Sequence, residues 1–202
     1  MKSGMKRLSL VTLFLSLQTI GVSAFAYTLP APPAKDSAAE KRDYRMLHDF
    51  QESRTPEQCE AAGRQSIPTV ETFFGPQTGV LTEVEIQSIS VAAGEILKKV
   101  FAVCDPFKDE YHRPRPYNVD LNIEPCVSRP GGSRAYPSSH AAAGIVLADY
   151  LAKKFPAKRD AILREGRQIG LNRILGGVHH PSDVEAGQEL GREMIEQMNE
   201  TE

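Results

Sequence analysis

The longest helical pattern in the sequence is TEVEIQSISVAAGEILKKVFAVC, residues 82–104, and it decides the fold class. Thr82 and Glu85, three residues apart, form a capping box that marks the start of a helix. Apolar residues then recur at helical spacing through the whole stretch. Because proline cannot continue a helix easily, we predict that this helix ends at Pro106, which opens a short further helix to about residue 112.

Helical patterns also lie on both sides of this stretch. They cover residues 37–52, 55–64, 138–154, 157–175 and 181–198. Gly176 and Gly177 are typical of a helix end, and Pro181 of a helix start. No alternating pattern typical of strands occurs. We therefore predict an all-α fold, with one compact helical domain over residues 37–202 behind an extended, proline-rich arm at residues 27–36.

Composition agrees with a single globular domain. The chain has 202 residues, of which 41% are hydrophobic and 25% charged, and its net charge is −2 at pH 7. That length is sufficient to bury a substantial core. Because the chain lacks the basic excess of nucleic-acid binders, a nucleic-acid partner is not expected.

The first 26 residues have the features of a secretory signal peptide. A basic start precedes an apolar stretch at residues 8–20, and Ala24 and Ala26 supply the small residues of a cleavage site. We predict cleavage after Ala26 and a periplasmic or secreted mature protein. The alternative is a membrane anchor, but the apolar stretch is short for a span and contains Ser and Gln. No later segment has the length and apolarity of a span, so none is expected in the mature chain.

The sequence contains three cysteines: Cys59, Cys104 and Cys126. An exported chain meets an oxidising compartment, so we expect one disulfide and one free thiol. Three pairings are open. We favour Cys104–Cys126, because these two residues bracket a short segment that carries several basic side chains. The spacing does not fit a zinc site, and no metal site is predicted.

The first of three functional motifs is Lys108-x6-Arg115-Pro116. Seven residues make about two helical turns, so both cations point the same way if the helix persists. An arginine fork and a lysine point charge together suit a phosphate group. The alternative is a solvated basic helix end, which the helix dipole favours.

The second motif is Pro137-Ser138-Ser139-His140, at the start of a predicted helix. It places two hydroxyls, free backbone N–H groups and an imidazole at a helix N-terminus. Such an end binds phosphate through its dipole and its unpaired N–H groups. The alternative is an ordinary serine cap.

The third motif is Arg173-x5-His179-x3-Asp183. His179 falls in a glycine-rich turn between two helices. Asp183 follows four residues later, where its carboxylate can hold one imidazole nitrogen and leave the other free to react. The alternative is that Asp183 only complements a helix dipole and that Arg173 lies on the surface.

Taken in this order, the three motifs resemble the type-2 phosphatidic acid phosphatase superfamily, whose pattern is K-x6-R-P, then P-S-G-H, then S-R-x5-H-x3-D. Within that superfamily, a chain with a signal peptide and no membrane helices resembles the class A bacterial non-specific acid phosphatases. Two positions depart from the pattern. Ser139 replaces the glycine, so an added side chain either crowds the site or contacts substrate, and Asn172 replaces the serine before Arg173.

The resemblance implies the helical bundle of acid phosphatases and vanadium haloperoxidases, and it implies a role for each residue. His179 attacks phosphorus and forms a phosphohistidine, and Asp183 orients it. His140 protonates the leaving alcohol and then activates water. The implied phosphate-binding residues are Lys108, Arg115, Ser138, Ser139 through its backbone N–H, and Arg173.

The expected function is that of a secreted acid phosphatase that hydrolyses phosphate monoesters without a metal or other cofactor, although vanadate or phosphate would fit the site. The resemblance implies an acidic to mildly acidic pH optimum and a homodimer or larger assembly. The alternatives are a lipid phosphate or diphosphate phosphatase, a vanadium-dependent haloperoxidase that uses the same site, and a phosphate-binding protein without activity. We expect residues 118–136 and 73–81 to rim the pocket, and we consider His112 and His180 as further lining residues.

Overall fold

The structure, a computed structural model, describes residues 27–131 and 134–200. The predicted signal peptide at residues 1–26 lies outside the described residues. Within them the protein is helical and contains no strand, which confirms the all-α prediction. The helices are α1 (Ala38–Ser53), α2 (Pro56–Arg64), α3 (Val70–Phe74), α4 (Glu83–Tyr111), α5 (Pro116–Val119), α6 (Ser139–Lys154), α7 (Arg159–Leu175) and α8 (Pro181–Glu200).

Helix α6 lies at the centre of the bundle and packs against α4, α7 and α8. Two close backbone approaches fix its neighbours. A Cβ at Gly144 would lie 2.4 Å from the carbonyl oxygen of Gly166, and one at Gly187 would lie 2.3 Å from that of Ser138. Because no side chain fits at either crossing, α7 and α8 can approach α6 closely. The N-terminus of α6 is thereby held beside the first turns of α8.

Helix α4 does not end at Pro106, and this prediction was wrong. The helix continues through Pro106 to Tyr111. Pro106 and Ala102, whose carbonyl loses its usual N–H partner, are both exposed, so water can satisfy that carbonyl. On the opposite face Cys104 and Lys108 are buried, and this packing outweighs the cost of the proline, which is about 3 kcal/mol.

Four short elements of the described residues were not predicted: α3, α5 and the 3₁₀ turns at Pro76–Thr78 and Pro156–Lys158. Each has five residues or fewer, which is too short for an apolar period to be visible. Apart from the C-terminal end of α4, the longer predicted helices agree with the observed ones to within two or three residues at each end.

The disulfide joins Cys59 to Cys126, with a Cα–Cα distance of 5.7 Å, so the favoured Cys104–Cys126 pairing was wrong. Cys104 is a free, fully buried thiol in the main core. Cys126 instead lies beside the end of α7, where its backbone N–H donates to Gly176. Helix α2 packs on α7 as well and brings Cys59 there.

Residues 27–34 carry no helix and lie against the bundle. Leu29 is buried in the main core. The Tyr111 hydroxyl donates to the Leu29 carbonyl, and the Tyr136 hydroxyl donates to the Pro30 carbonyl at 2.6 Å. In the part of the chain that the structure describes, no helix combines the length and apolarity needed to cross a membrane.

Candidate active site

The three motifs meet at one end of the bundle, around a cavity of about 350 Å³. Six of the eight predicted site residues line this cavity: Lys108, Arg115, Ser139, His140, Arg173 and His179. The other two, Ser138 and Asp183, are fully buried and are not among the lining residues. The structure thus brings the predicted residues together as a surface layer with a supporting layer beneath it.

The N-terminus of α6 forms one wall of the cavity. Ser138 caps this helix, because its hydroxyl accepts from the Ala141 backbone N–H at 3.3 Å. Its own N–H donates to the Asp183 carbonyl at 2.8 Å. Ser138 therefore has the capping role that serine favours strongly at this position, and its contact with phosphate stays a prediction. Ser139 lines the cavity, and its buried hydroxyl lies beside the Cys104 thiol, a weak partner, without a well-formed hydrogen bond.

Three cations form the opposite walls. Lys108 and Arg115 do not share a helix, because α4 ends at Tyr111 and His112 is left-handed with a φ of 43°. Arg115 reaches the cavity from the next segment, where it precedes α5. Lys108 donates to the carbonyls of Pro137 and Arg134, and burial lowers the pKa of its amine to about 8.

Arg173 is almost completely buried, at 1% exposure. Burial and the charge of Arg115 lower the pKa of its guanidinium to about 10. Its Nε and NH1 groups have no hydrogen-bond partner in the protein, and neither has the Nε of Arg115. Buried donors of this kind cost about 1–3 kcal/mol each when unsatisfied. Since these donors belong to cations around one cavity, an anion is the ligand that would satisfy them.

His179 lies between the carboxylate of Asp183 and the guanidinium of Arg115. Its Nδ1 is 3.3 Å from Oδ2 of Asp183, and its Nε2 is 2.6 Å from NH1 of Arg115. An arginine can only donate, so Nε2 carries a lone pair and Nδ1 carries the proton that the carboxylate accepts. Burial, with the charge of Arg115, lowers the pKa of His179 well below its usual value. The imidazole is therefore neutral, with its basic nitrogen on the side of the cations.

Asp183 is held by donors on both carboxylate oxygens. Oδ1 accepts from Arg113 at 2.6 Å, and Oδ2 accepts from the His180 backbone N–H at 2.8 Å besides the two histidine rings. Burial works to raise the pKa of the Asp183 carboxyl. The hydrogen bonds from His179 and His180 and the charge of Arg113 outweigh it and keep that pKa well below its ordinary range. Asp183 is thus a fixed negative charge behind His179.

His140 faces the same cavity from the first turn of α6. Its Nε2 is 3.2 Å from the Ser66 carbonyl, to which it donates, so Nδ1 is the nitrogen left for proton exchange. The rings of Phe73 and Phe101 pack against it. Burial, together with the positive charge of Arg173 and its neighbours, lowers the pKa of His140 to about 3.

Sequence reasoning missed several residues of the site, of which Ser66 lines the cavity and Arg113 and Asp43 lie beneath it. Arg113 stands two residues before Arg115, and that repeated Arg-Pro was its signal. Asp43 in α1 and Ser66 after α2 had no signal, because only the tertiary fold brings them here. Of the two further histidines considered, neither lines the cavity: His112 is exposed, and His180 is buried beside Tyr44.

The predicted rim is half correct. Residues 128–131 and Arg134 line the cavity, as expected for residues 118–136. Residues 73–81 do not line it, since the chain turns away after Phe73, and that expectation was wrong. Among the described residues, no group of three or more His, Cys, Asp and Glu side chains is placed to hold a metal ion.

The sequence matches the PAP2 superfamily over residues 87–195, more than half of the chain, and the protein belongs to that superfamily. The match contains all three motifs. The resemblance that these motifs indicated is therefore confirmed.

Curated relatives are named as acid phosphatases. The non-specific acid phosphatase of Salmonella typhimurium is 27% identical over 179 residues, which cover 82% of this chain and 69% of that protein. The non-specific acid phosphatase of Providencia stuartii is 26% identical over 167 residues, covering 78% and 67%. The acid phosphatase of Zymomonas mobilis is 36% identical over a shorter stretch of 84 residues, 40% of this chain and 31% of that protein.

Two solved structures share the fold. One is the transmembrane PAP2 type phosphatidylglycerolphosphate phosphatase from Bacillus subtilis, with a TM-score of 0.58 and 17% identity over 83% of this chain and 89% of that chain. The other is LpxE from Aquifex aeolicus, with a TM-score of 0.54 and 17% identity over 79% and 94%. At this identity the likeness concerns the fold.

Proposed function

We propose that the protein is an acid phosphatase that hydrolyses phosphate monoesters through a phosphohistidine at His179. One observation carries this proposal: a neutral, buried imidazole, backed by a carboxylate, shares a cavity with Lys108 and with two arginines, Arg115 and Arg173, that have unsatisfied donors. The names of the curated relatives, non-specific acid phosphatases, support the same activity.

In the first step the phosphate group binds among Lys108, Arg115 and Arg173. Nε2 of His179 attacks phosphorus, the bond from phosphorus to the alcohol oxygen breaks, and the alcohol leaves with a proton from His140. The attack requires Arg115 to exchange its contact with Nε2 for one with a phosphoryl oxygen. Such an exchange satisfies its free donor and stabilises the charge that develops on the equatorial oxygens.

In the second step water replaces the alcohol. His140, now neutral, takes a proton from water, whose oxygen attacks phosphorus while the bond to His179 breaks. Inorganic phosphate then leaves, and His140 is protonated again for the next cycle. Throughout the cycle Asp183 compensates the positive charge on the phosphorylated imidazole, because it remains ionised 3.3 Å from Nδ1.

The proposal predicts that activity favours acidic pH. His140 must enter the first step protonated, yet its pKa in the free protein is about 3. Burial is the main cause of this low pKa, and the positive charges of Arg173 and its neighbours add to it; a bound phosphate dianion offsets those charges, so the pKa rises in the complex. Proton donation is then effective in acid and is lost as the pH rises through the raised value.

We further propose that no metal participates, since three cations supply the charge that a metal ion would supply in other phosphatases. p-Nitrophenyl phosphate hydrolysis, measured with and without EDTA for the wild type and His179→Ala, tests both proposals. We expect EDTA to change nothing and the variant to lose activity by at least about a thousandfold. Full activity in the variant would refute the nucleophile, and loss of wild-type activity in EDTA would refute metal independence.

The same assay set separates the remaining candidates. Phosphatidate in detergent micelles tests a lipid phosphate substrate, and bromide oxidation with vanadate and peroxide tests a haloperoxidase. We expect p-nitrophenyl phosphate and small monoesters to be hydrolysed fastest and no bromide oxidation to be detected. A faster reaction on phosphatidate would change the proposed substrate class.

We also propose export of the mature protein. The disulfide between Cys59 and Cys126 supports it, because such bonds persist in oxidising compartments. N-terminal sequencing of protein recovered from the periplasm or medium of an expressing bacterium should read from Tyr27. Recovery only from the cytosol with residues 1–26 retained would contradict export.

A further inference from the structure

Helix α1 inserts a carboxylate into the supporting layer of the site. Asp43 is fully buried, although it lies outside all three motifs. Its Oδ1 accepts from the Ser182 backbone N–H at 3.1 Å, and its Oδ2 accepts from the Ser182 hydroxyl. Ser182 immediately precedes Asp183 in the first turn of α8. A residue of α1 therefore holds the turn that carries the catalytic carboxylate.

Arg113 joins this carboxylate to the catalytic one. Its Nη2 donates to Asp43 at 3.0 Å. Its Nη1 donates to Asp183 at 2.6 Å and to the Ser182 hydroxyl at 2.7 Å. The Arg113 side chain is only 7% exposed. Since Oδ1 of Asp183 is engaged by Arg113, Oδ2 is the oxygen that faces His179. Arg113 thus selects the orientation of the catalytic carboxylate.

The charges of this cluster explain why two carboxylates are present. Arg113 alone would neutralise Asp183 and weaken its attraction for a cationic imidazole. With Asp43 as a second partner, the three groups together keep one net negative charge behind His179. That charge is the one needed when His179 becomes a phosphohistidine. A buried ion pair between one acid and one base would not supply it.

We propose that Arg113 and Asp43 are positioning residues that orient Asp183 and preserve one net negative charge behind His179. This inference rests on the proposed role of His179 as the nucleophile. Neither side chain approaches the phosphate directly, since neither lines the catalytic cavity. They act on the chemical step through Asp183 and not on phosphate binding.

Asp43→Asn tests the charge with little change in shape. We expect kcat for p-nitrophenyl phosphate to fall roughly 10- to 100-fold, the size of effect seen when a partner hydrogen-bonded to a metal-ligating side chain is lost. The KM and the inhibition constant of inorganic phosphate should change by less than about threefold. Asp49→Asn, the same substitution at an exposed position of α1, is the matched control and should retain wild-type kinetics.

A second pair of variants separates charge from simple destabilisation. Arg113→Gln leaves two buried carboxylates facing each other, so we expect it to be the least active of the Asp43 and Arg113 variants. Adding Asp43→Asn to it restores one net negative charge, so the double variant should be at least about tenfold more active than Arg113→Gln alone. A structural role would instead make the double variant no better than the worse single variant. Thermal melting of each variant confirms that folded protein is compared.

The outcomes distinguish this inference from the function on which it rests. If His179→Ala is inactive while Asp43→Asn behaves like Asp49→Asn, the inference is wrong and the nucleophile stands. Absence of rescue in the double variant would likewise overturn it. If His179→Ala remains fully active, the proposed function itself fails.

Discussion

Replacing Arg173 with methionine should stabilise the free protein while abolishing its activity. Among the described residues Arg173 is the largest fully buried side chain, and its Nε and Nη1 groups have no hydrogen-bond partner. At about 1–3 kcal/mol for each unsatisfied donor, the arginine costs the free protein roughly 2–6 kcal/mol. Methionine keeps most of the apolar contacts but fills less space, so we expect a net gain of about 2 kcal/mol.

For a domain of this size, that gain corresponds to a rise in Tm of roughly 4–8 °C, since 1 kcal/mol shifts Tm by about 2–4 °C. The measurement is thermal unfolding by circular dichroism in a phosphate-free buffer. Arg167→Met, at an exposed position of the same helix α7, is the control and should stay within about 0.5 kcal/mol of the wild type.

Inorganic phosphate should reverse the order of stability. At 100 times its Kd, a ligand stabilises the protein that binds it by about 2.7 kcal/mol. Phosphate should therefore raise the Tm of the wild type and of Arg167→Met, and leave that of Arg173→Met almost unchanged. Activity of Arg173→Met should fall by at least about a hundredfold. If Arg173→Met melts below the wild type without phosphate, and phosphate raises its Tm as much as that of the wild type, Arg173 is not an anion ligand with unsatisfied donors in the free protein.

Three further predictions concern other parts of the molecule. His140→Ala should slow phenyl phosphate hydrolysis by about 10²–10⁴-fold but p-nitrophenyl phosphate hydrolysis much less, because nitrophenolate leaves without a proton. Equal losses on both substrates would contradict the role of His140 as the acid. In the wild type, kcat should fall as the pH rises through the raised pKa of His140 in the complex. Ser139→Ala should weaken inhibition by inorganic phosphate roughly 3- to 10-fold, since a hydroxyl whose neighbour is only the weakly bonding Cys104 thiol is then lost as a donor to phosphate. Tighter inhibition would indicate that the hydroxyl crowds the site. Replacing both Cys59 and Cys126 with serine should lower the free energy of unfolding, measured by urea titration, by about 4 kcal/mol, because the disulfide closes a loop with a sequence separation of 67 residues. An unchanged urea midpoint would show that the disulfide does not form in the protein.

The parts of the site that the sequence predicts are those encoded by local spacing. The interval between His179 and Asp183 lies within one turn and the start of one helix, so four residues suffice to bring Nδ1 and the carboxylate together. Gly177, with a φ of 74°, ends α7 where the glycine pair predicts, and Pro181 opens α8. His140 lies in the first turn of a helix whose start is visible in the sequence.

The parts that the sequence does not predict depend on contacts between distant segments. Asp43 is an acidic residue in an amphipathic helix, and only the packing of α1 on α8 places it against Ser182. The cysteine pairing fails for the same reason, because the distance between Cys59 and Cys126 is set by the packing of α2 on α7. Pro106 shows the converse, since a local helix breaker is tolerated where the buried face of α4 compensates for it.

The most direct test of the account is the identity of the phosphorylated residue. Wild-type enzyme, mixed with substrate and quenched in alkali, which preserves phosphohistidine, can be digested and examined by mass spectrometry. We expect the phosphoryl group on the peptide that contains His179, at the imidazole, and none in His179→Ala. A phosphoryl group on another residue, or full turnover by His179→Ala, would contradict the central claim.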